Sequence, residues 1–107
     1  MENYKKIDEL EWSTGRVKGF SGKSLIDLKN GGFKMVKVDA LSSYPLHLHP
    51  NKTEFIYVLE GEPKIVIDSH SYNGSKGDFF TLPSAIKHSI ENPANSECLL
   101  LVGAINN

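Results

Sequence analysis

The sequence predicts an all-β protein in which short antiparallel strands surround a single core. Three observations support this prediction. Runs rich in Val, Ile, Phe and Tyr are short and alternate in polarity, Gly, Pro and Asn separate these runs, and no segment carries the apolar period of a long helix. Together, these features are typical of an antiparallel sandwich, a jelly roll or a barrel.

Two units follow from the pattern along the chain. Residues 1–11 are polar, with Ile7 and Leu10 three apart, which indicates an N-terminal arm or a short helix. Residues 12–107 contain no repeat, linker or low-complexity stretch, so we expect one domain there. Within it, roughly eight to nine strands are expected, and the clearest are Trp12–Phe20, Ser24–Leu28, Phe33–Ala40, Glu54–Leu59, Lys64–Ile67, Asp78–Leu82, Ile86–Glu91 and Glu97–Ile105.

Turn signals and alternation fix the faces of these strands. Asn30-Gly31-Gly32, Gly61-Glu62-Pro63 and Asn73-Gly74 are each typical of a tight turn. In the third run, Val36, Val38 and Ala40 are spaced by two residues and are expected to share one face.

Composition excludes several classes of function. The chain has 107 residues, enough for one domain, and a formal net charge of −1, so no long-range field attracts nucleic acid or an acidic membrane. Arg16 is the only arginine, the residue best suited to phosphates and guanines. No apolar run approaches the roughly 18 residues of a membrane span, and no apolar segment follows the first residues, so we expect a cytoplasmic protein. Cys98, the only cysteine, lies in an apolar run and is expected to be a buried small hydrophobe.

One group of residues indicates chemistry. His47 and His49 are two apart, so on a strand both imidazoles point to the same face. Glu54 opens the next β-rich run, and His88 shares a strand face with apolar neighbours. Three imidazoles and a carboxylate on apolar faces would be costly to bury without partners. One divalent metal ion per chain satisfies all four groups, and mixed nitrogen and oxygen ligands suit Fe(II), Mn(II), Ni(II), Cu(II) or Zn(II).

A single histidine near an apolar run is more often a hydrogen-bonded core or surface residue than a ligand. His70 is expected to be such a case, because it lies in the polar stretch 69–74 and has the surroundings of a solvated turn residue. The pair of His47 and His49 alone does not decide between these interpretations. The metal interpretation depends on Glu54 and His88 joining the pair.

Two segments resemble the two sequence motifs of the cupin family. Residues 41–61 are similar to G-x5-H-x-H-x3/4-E-x6-G, with His47, His49, Glu54 and Gly61 at the motif spacing. Leu41 stands where that motif begins with glycine.

The second motif, G-x5-P-x-G-x2-H-x3-N, is similar to residues 77–92. Gly77, Pro83, His88 and Asn92 match it, and Ala85 replaces its second glycine. Leu41 and Ala85 therefore stand at turn positions where a positive φ disfavours a side chain, and neither departure removes a ligand.

The resemblance implies a cupin-type antiparallel jelly-roll β-barrel of six to eight strands, with a metal inside its wider mouth. It also implies that His47, His49, Glu54 and His88 are the ligands, which leaves one or two coordination positions for water, dioxygen or substrate. The glycines at 61 and 77 and Pro83 are expected to shape turns, and Asn92 is expected to tie down a loop.

Three functions remain open at this point. The first is a metal-dependent enzyme, dioxygenase-like or isomerase- or cyclase-like, that acts on a small molecule. The second is a non-catalytic module that binds or senses a small molecule or a metal, and the third is a barrel with a structural zinc. The expected cavity lining is apolar and favours a small, partly apolar or aromatic substrate; it consists of Val36, Val38, Ile56, Val58, Ile86 and Ile90.

A homodimer is also predicted. Phe55, Tyr57 and Leu59 alternate with the inward residues of their run, so three bulky side chains point away from the metal face. Such a patch is typical of an interface, and two-fold dimers are the commonest oligomers. The alternative is that the N-terminal segment around Ile7 and Leu10 covers this face.

Overall fold

The computed structural model describes residues 2–107, which form ten strands and one short 3-10 helix, Ile7–Glu9. The strands, numbered in chain order, are β1 (Ser13–Thr14), β2 (Phe20–Leu28), β3 (Gly31–Val38), β4 (Ser43–His47), β5 (Lys52–Glu60), β6 (Lys64–Ile67), β7 (His70–Asn73), β8 (Phe79–Leu82), β9 (His88–Glu91) and β10 (Cys98–Asn106).

The strands form two antiparallel sheets. The six-stranded sheet has the order β1-β2-β3-β10-β5-β8, and the four-stranded sheet has the order β4-β9-β6-β7. Successive strands cross repeatedly from one sheet to the other, as in a jelly roll. The prediction of an all-β, antiparallel jelly-roll barrel is therefore confirmed.

The core lies between the sheets and is built from alternate residues of each strand. Val36 and Val38 of β3 face inward as predicted, but Ala40 is exposed because β3 ends at Val38. The side chains that share this interior have at most 8% of their surface exposed; they are Phe20, Val36, Val38, Ile56, Val58, Ile65, Leu82, Cys98, Leu100 and Val102. Cys98 is thus a buried small hydrophobe, as expected.

Two strand predictions were wrong. The run 12–20 forms only the two-residue β1 and then a turn, which the backbone N–H of Gly15 closes by donating to the Phe20 carbonyl at 2.8 Å. Gly19, at φ +90, completes the turn before β2 begins. The stretch around His70 was predicted as a turn, but it forms β7, an edge strand whose four residues are all exposed. A strand without a buried face needs no apolar alternation, so the sequence gives no strand signal there.

The buried side-chain amide of Asn92 joins the segment that follows β3 to the loop between β9 and β10. Asn92 is fully buried, and its Nδ2 donates to the carbonyls of Val38, Asp39 and Ser96 at 2.8–3.2 Å. Its Oδ1 accepts from the backbone N–H of Ala94 at 3.2 Å. The expectation that Asn92 ties down a loop is confirmed.

Both residues that replace a motif glycine adopt the left-handed conformation. Leu41 has φ 59 and Ala85 has φ 62. A side chain in this region costs roughly 1–2 kcal/mol. The two turns therefore keep a backbone shape that favours glycine, although glycine is absent from both.

The N-terminal segment packs on the outer face of the six-stranded sheet. Lys23 Nζ donates to the Ile7 carbonyl at 3.0 Å, and the Trp12 ring lies between the Nζ atoms of Lys23 and Lys37, at 4.6 and 4.7 Å from its centroid. These contacts cover β2 and β3. The boundary between an arm at 1–11 and a domain at 12–107 stays a prediction. Within residues 2–107, no helix has the length and apolar character needed to cross a membrane.

Candidate metal centre

The four predicted ligands come from both sheets. His47 ends β4 and is the direct cross-strand partner of His88, which begins β9. His49 follows two residues beyond β4, and Glu54 lies in β5 of the opposite sheet. Glu54 was predicted to open its strand, but β5 begins at Lys52. The structure brings together all four side chains that the sequence pattern selected.

The distances among these side chains fit one metal ion. One ligand atom from each residue lies within 4.8 Å of the other three. His49 Nε2 is 3.2 Å from Glu54 Oε1, and His88 Nε2 is 3.4 Å from the same oxygen. Two ligands that each lie roughly 2.1 Å from a metal, at angles of about 90–110°, are about 3.0–3.4 Å apart. The spacing is therefore that of neighbouring ligands in one coordination shell.

Hydrogen bonds orient two of the imidazoles. His47 Nδ1 lies 2.7 Å from the Pro45 carbonyl, and His88 Nδ1 lies 3.3 Å from the Ile86 carbonyl. A carbonyl only accepts, so each Nδ1 donates its proton there, and Nε2 is the nitrogen left to face a metal. A carbonyl behind a ligating ring is the usual support of a metal-binding histidine. The donor set thus fits a divalent metal, and His47 and His88 would bind it through Nε2.

The pKa shifts of His49 and Glu54 favour the protonation states that bind a cation. Burial lowers the pKa of His49 below its ordinary value, and the opposing effect of the Glu54 charge is smaller. Burial by itself would raise the pKa of Glu54. The hydrogen bond with His88 and the positive charge of Lys52 outweigh that effect, so the pKa of Glu54 is lowered. At neutral pH, His49 is therefore neutral and Glu54 is ionised, which are the protonation states that bind a metal.

The turn at Ala85 contacts the loop that carries His49. The backbone N–H of Ala85 donates to the His49 carbonyl at 2.8 Å. His49 lies outside any strand, so this bond fixes a ligand that sheet hydrogen bonds do not hold. The left-handed conformation at Ala85 therefore supports the position of the imidazole.

A cavity of about 480 Å³ opens beside the four side chains. Val36 and Ile90 line it, as predicted. Val38, Ile56 and Val58 do not, because they lie deeper and are fully buried in the core. The prediction that Ile86 lines the cavity was also wrong. The apolar wall instead consists of Phe20, Val36, Leu82, Ile90 and Val102.

Three positively charged side chains that the sequence interpretation missed also line the cavity: Arg16, Lys34 and Lys52. The signal for Lys34 was present, because it is two residues before Val36 and alternation places both on the inward face of β3. Lys52 is likewise two residues before Glu54. Arg16 lies in the turn between β1 and β2, and no periodicity could have assigned it.

The fold and the centre define a class: a small antiparallel β-barrel whose wide mouth holds three histidines and one glutamate. The family model described as "Cupin domain" matches residues 34–103, and the chain belongs to this family. The matched segment contains all four side chains of the centre.

Individual relatives support the same fold. A probable germin-like protein, subfamily 2 member 5, of Arabidopsis thaliana is 34% identical over 97 residues, covering 83% of this chain and 46% of that protein. An uncharacterized protein of Methanocaldococcus jannaschii is 36% identical over 50 residues, covering 47% of this chain and 40% of that protein. The chain thus spans less than half the length of these curated relatives.

Two solved structures are similar over nearly the whole chain. A predicted oxalate decarboxylase from Thermotoga maritima superimposes with a TM-score of 0.87 and 23% identity, covering 95% of this chain and 97% of that one. The polyketide cyclase RemF from Streptomyces resistomycificus gives 0.86 and 23%, covering 98% and 80%. At this identity the likeness supports the fold, and the different names of the two proteins agree with one fold serving several reactions.

Proposed function

We propose that this protein is a mononuclear metal-dependent enzyme that acts on a small, partly apolar molecule. The observation that carries the proposal is the placing of four ligand atoms within 4.8 Å of one another at the wall of a cavity of about 480 Å³. Cavities of roughly 300–1,000 Å³ suit small molecules. A centre that opens to such a space has the arrangement of a catalytic metal site rather than of a closed structural one.

In this proposal His47, His49, Glu54 and His88 hold one divalent ion, Fe(II), Mn(II), Ni(II) or Zn(II). Such an ion supplies Lewis-acid polarisation of a substrate oxygen or, with Fe(II), a position for dioxygen. The chain's own contribution is to exclude water with its apolar wall and to keep His49 neutral through its lowered pKa. The reaction is dioxygenase-like, or isomerase- or cyclase-like. Of the two similar structures, one is named a polyketide cyclase, and the other, a predicted oxalate decarboxylase, is named for a different reaction.

An open coordination position is the feature that the experiment must detect. Protein loaded anaerobically with Fe(II) is expected to bind nitric oxide, a stand-in for dioxygen, and to show the adduct in its electron paramagnetic resonance spectrum. Elemental analysis of the same sample should give about one iron per chain. One iron per chain without an adduct would contradict the dioxygenase version and favour a structural ion.

A second candidate is a non-catalytic module that binds a small molecule or senses a metal. The observation in its favour concerns proton transfer. Among the described residues that line the cavity, no Asp, Glu or His exists beyond the four proposed ligands. An enzyme would therefore need the metal, Tyr44 or a lysine for acid–base chemistry. Unchanged small-molecule ligands recovered after long incubation with the loaded protein would favour this candidate.

We also propose a cytoplasmic homodimer. Tyr57 and Phe79 are cross-strand neighbours on the outer face of the six-stranded sheet, with 40% and 60% of their surfaces exposed. Phe55 lies beside them and stacks on Phe33 and Phe79, with ring centroids 6.1 and 6.0 Å away. The N-terminal contacts of Trp12 lie over β2 and β3 rather than over these rings.

Light scattering at micromolar concentration tests the dimer. We expect twice the chain mass for the wild type and the chain mass for Tyr57→Lys, since a buried unpaired charge disfavours an apolar interface. Ser71→Lys, an exposed change on the edge strand β7 of the other sheet, is the control. A wild-type protein that has the mass of one chain would contradict the proposal.

A further inference from the structure

Three positively charged side chains line the cavity, and none of them forms an ion pair with a carboxylate. Arg16, Lys34 and Lys52 all line it. Across residues 2–107, the only ion pairs within 4.0 Å are those of Glu54 with His49 and His88, so none of the three cations is paired. None of them donates a side-chain hydrogen bond to the protein either. The chain has a net charge of −1, yet this cavity has three cations and one carboxylate.

The position of Lys34 is unusual for a lysine. It belongs to the inward row of β3, in which Val36 and Val38 are buried core residues. Its cross-strand partners are Ser24 on β2 and Val102 on β10, and Val102 is also part of the cavity wall. The side chain is exposed to solvent where it lines the cavity, so its charge is not buried in the core. From the inward row it directs a positive charge at the bound molecule, which is useful when that molecule is an anion.

The other part of the wall is apolar. Phe20, Val36 and Val102 come from the six-stranded sheet, and Ile90 comes from the four-stranded sheet. A ligand that matches both parts of the wall has an apolar body and a negatively charged head. A divalent ion in the centre would add further positive charge, which strengthens the preference for an anion.

We propose that the molecule bound in this cavity is a small carboxylate, whose carboxylate group is held by Arg16, Lys34 and Lys52 while its apolar body contacts the wall of Phe20, Val36 and Ile90. This inference rests on the proposed function, and it names the substrate class of the same site. A carboxylate is favoured over a phosphate ester because the apolar part of the wall suits a small, partly apolar molecule, and inorganic phosphate is therefore one of the probes.

The probes are benzoate, its neutral analogue benzamide, and inorganic phosphate, each titrated calorimetrically into Mn(II)-loaded protein. Benzoate is expected to bind at least about tenfold more tightly than benzamide and than phosphate. Arg16→Gln and Lys34→Gln are each expected to weaken benzoate binding by about threefold, and the double variant by about tenfold. Lys18→Gln, in the same turn as Arg16, and Lys76→Gln, an exposed lysine outside the cavity, are the matched controls and should stay within about twofold of the wild type.

Four results would overturn the proposal: no benzoate binding, equal binding of benzamide, tighter binding of phosphate, or unchanged benzoate affinity in the double variant. If the double variant keeps full benzoate affinity and metal removal abolishes that affinity, the carboxylate lies on the metal instead of on the three cations. Elemental analysis of the titrated samples separates the two proposals. Protein without metal would contradict the proposed function, and the same titrations of that protein would still test the three cations.

Discussion

The two sheets contribute different chemistry to the same cavity. The four-stranded sheet and the loop after β4 provide three imidazoles, of which His47 and His88 face each other across paired strands. The six-stranded sheet provides the charged groups: Glu54 on β5, Lys34 on β3 and Lys52 at the start of β5. The nitrogen donors thus lie on one side of the cavity, and the charged side chains of the six-stranded sheet lie on the other.

This difference shows how the centre and the stability of the barrel are coupled. Glu54 is the only one of the four side chains that belongs to the six-stranded sheet, and its Oε1 lies 3.2 and 3.4 Å from two imidazole nitrogens across the cavity. An ion bound to all four groups would join the two sheets. Its binding free energy would therefore also oppose their separation on unfolding.

The largest expected effect comes from removing a ligand on the four-stranded side. His49→Ala should lower metal affinity by more than about 100-fold, since even the loss of an outer hydrogen-bond partner of a ligand costs about 10–100-fold. His49 lies in a loop and 33% of its side chain is exposed, so the fold should tolerate the change. His70→Ala, on the exposed edge strand β7, is the control and should keep the wild-type metal content by elemental analysis. Equal metal content in the two variants would contradict the ligand assignment.

The bridge between the sheets predicts stabilisation by metal. A metal at about 1,000 times its dissociation constant should raise the free energy of unfolding by about 4 kcal/mol. Denaturant titrations with metal and with a chelator measure this difference. Glu54→Gln, which removes the one ligand of the six-stranded sheet, should abolish most of the effect. If the midpoint of wild-type unfolding is the same with metal and with chelator, the two sheets are not joined in this way.

Low pH should weaken metal binding by protonating the histidine ligands. Protons compete with the metal for imidazole nitrogen, so affinity is high above the histidine pKa and falls as the pH drops below it. Burial lowers the pKa of His49 beneath the ordinary imidazole value of about 6.5, so protonation of His49 begins to weaken metal binding only below that pH. We expect affinity to fall below about pH 6, by about tenfold per pH unit for each histidine that gains a proton. A pH series of metal titrations checks this, and constant affinity down to pH 4.5 would exclude histidine ligands.

The smallest expected effects are changes in stability from substitutions in the two connections that lead from the six-stranded sheet into the four-stranded sheet. Leu41 lies between β3 and β4, and Ala85 lies between β8 and β9, both with positive φ. Leu41→Gly and Ala85→Gly should each raise the free energy of unfolding by about 0.5–1 kcal/mol, since glycine removes the strain but adds chain entropy to the unfolded state. Ala40→Gly, next to Leu41 and without positive φ, should lower it. Chemical denaturation of the metal-free proteins measures all three.

Ala85→Gly gives a further comparison within the same experiment. The backbone N–H of residue 85 donates a hydrogen bond to the His49 carbonyl, so a more flexible residue at this position should also weaken metal binding slightly. Leu41→Gly should not, because the Leu41 N–H donates to the Ala94 carbonyl, away from the centre. If both variants bind metal equally, the turn at Ala85 does not position His49.

The sequence predicted those parts of the molecule in which periodicity and chemistry agree. The spacing of His47, His49, Glu54 and His88 selected four side chains that the structure brings together. Alternation on strands fixes the faces of His47, Glu54 and His88, whereas His49 was expected on the same strand as His47 and lies instead in the loop after β4. Alternation also predicted the buried Val36 and Val38. The same rule could have placed Lys34 on that face, but apolar residues alone were used to infer the lining.

Other features could not be predicted because no periodic signal exists for them. The exposed edge strand around His70 has no buried face and therefore no apolar pattern. Arg16 reaches the cavity from a turn whose shape depends on Gly15 and Gly19. The positive φ of Leu41 and Ala85 opposes their residue preferences, so tertiary packing rather than local propensity determines it.

Asn92 has one more consequence, which concerns the chemical ageing of the chain. An asparagine deamidates when the nitrogen of the next residue attacks its side-chain amide. Asn92 is followed by Pro93, whose nitrogen is tertiary and carries no hydrogen, so this ring closure is blocked. By contrast, Asn30 is exposed in the hairpin between β2 and β3 and precedes Gly31, the sequence context in which the attack is least hindered. Asn73 also precedes a glycine, but the backbone N–H of Gly74 donates to the Pro63 carbonyl at 2.8 Å, which hinders the attack there. Stored protein should thus acquire negative charge first at Asn30, while the Asn92 amide stays intact.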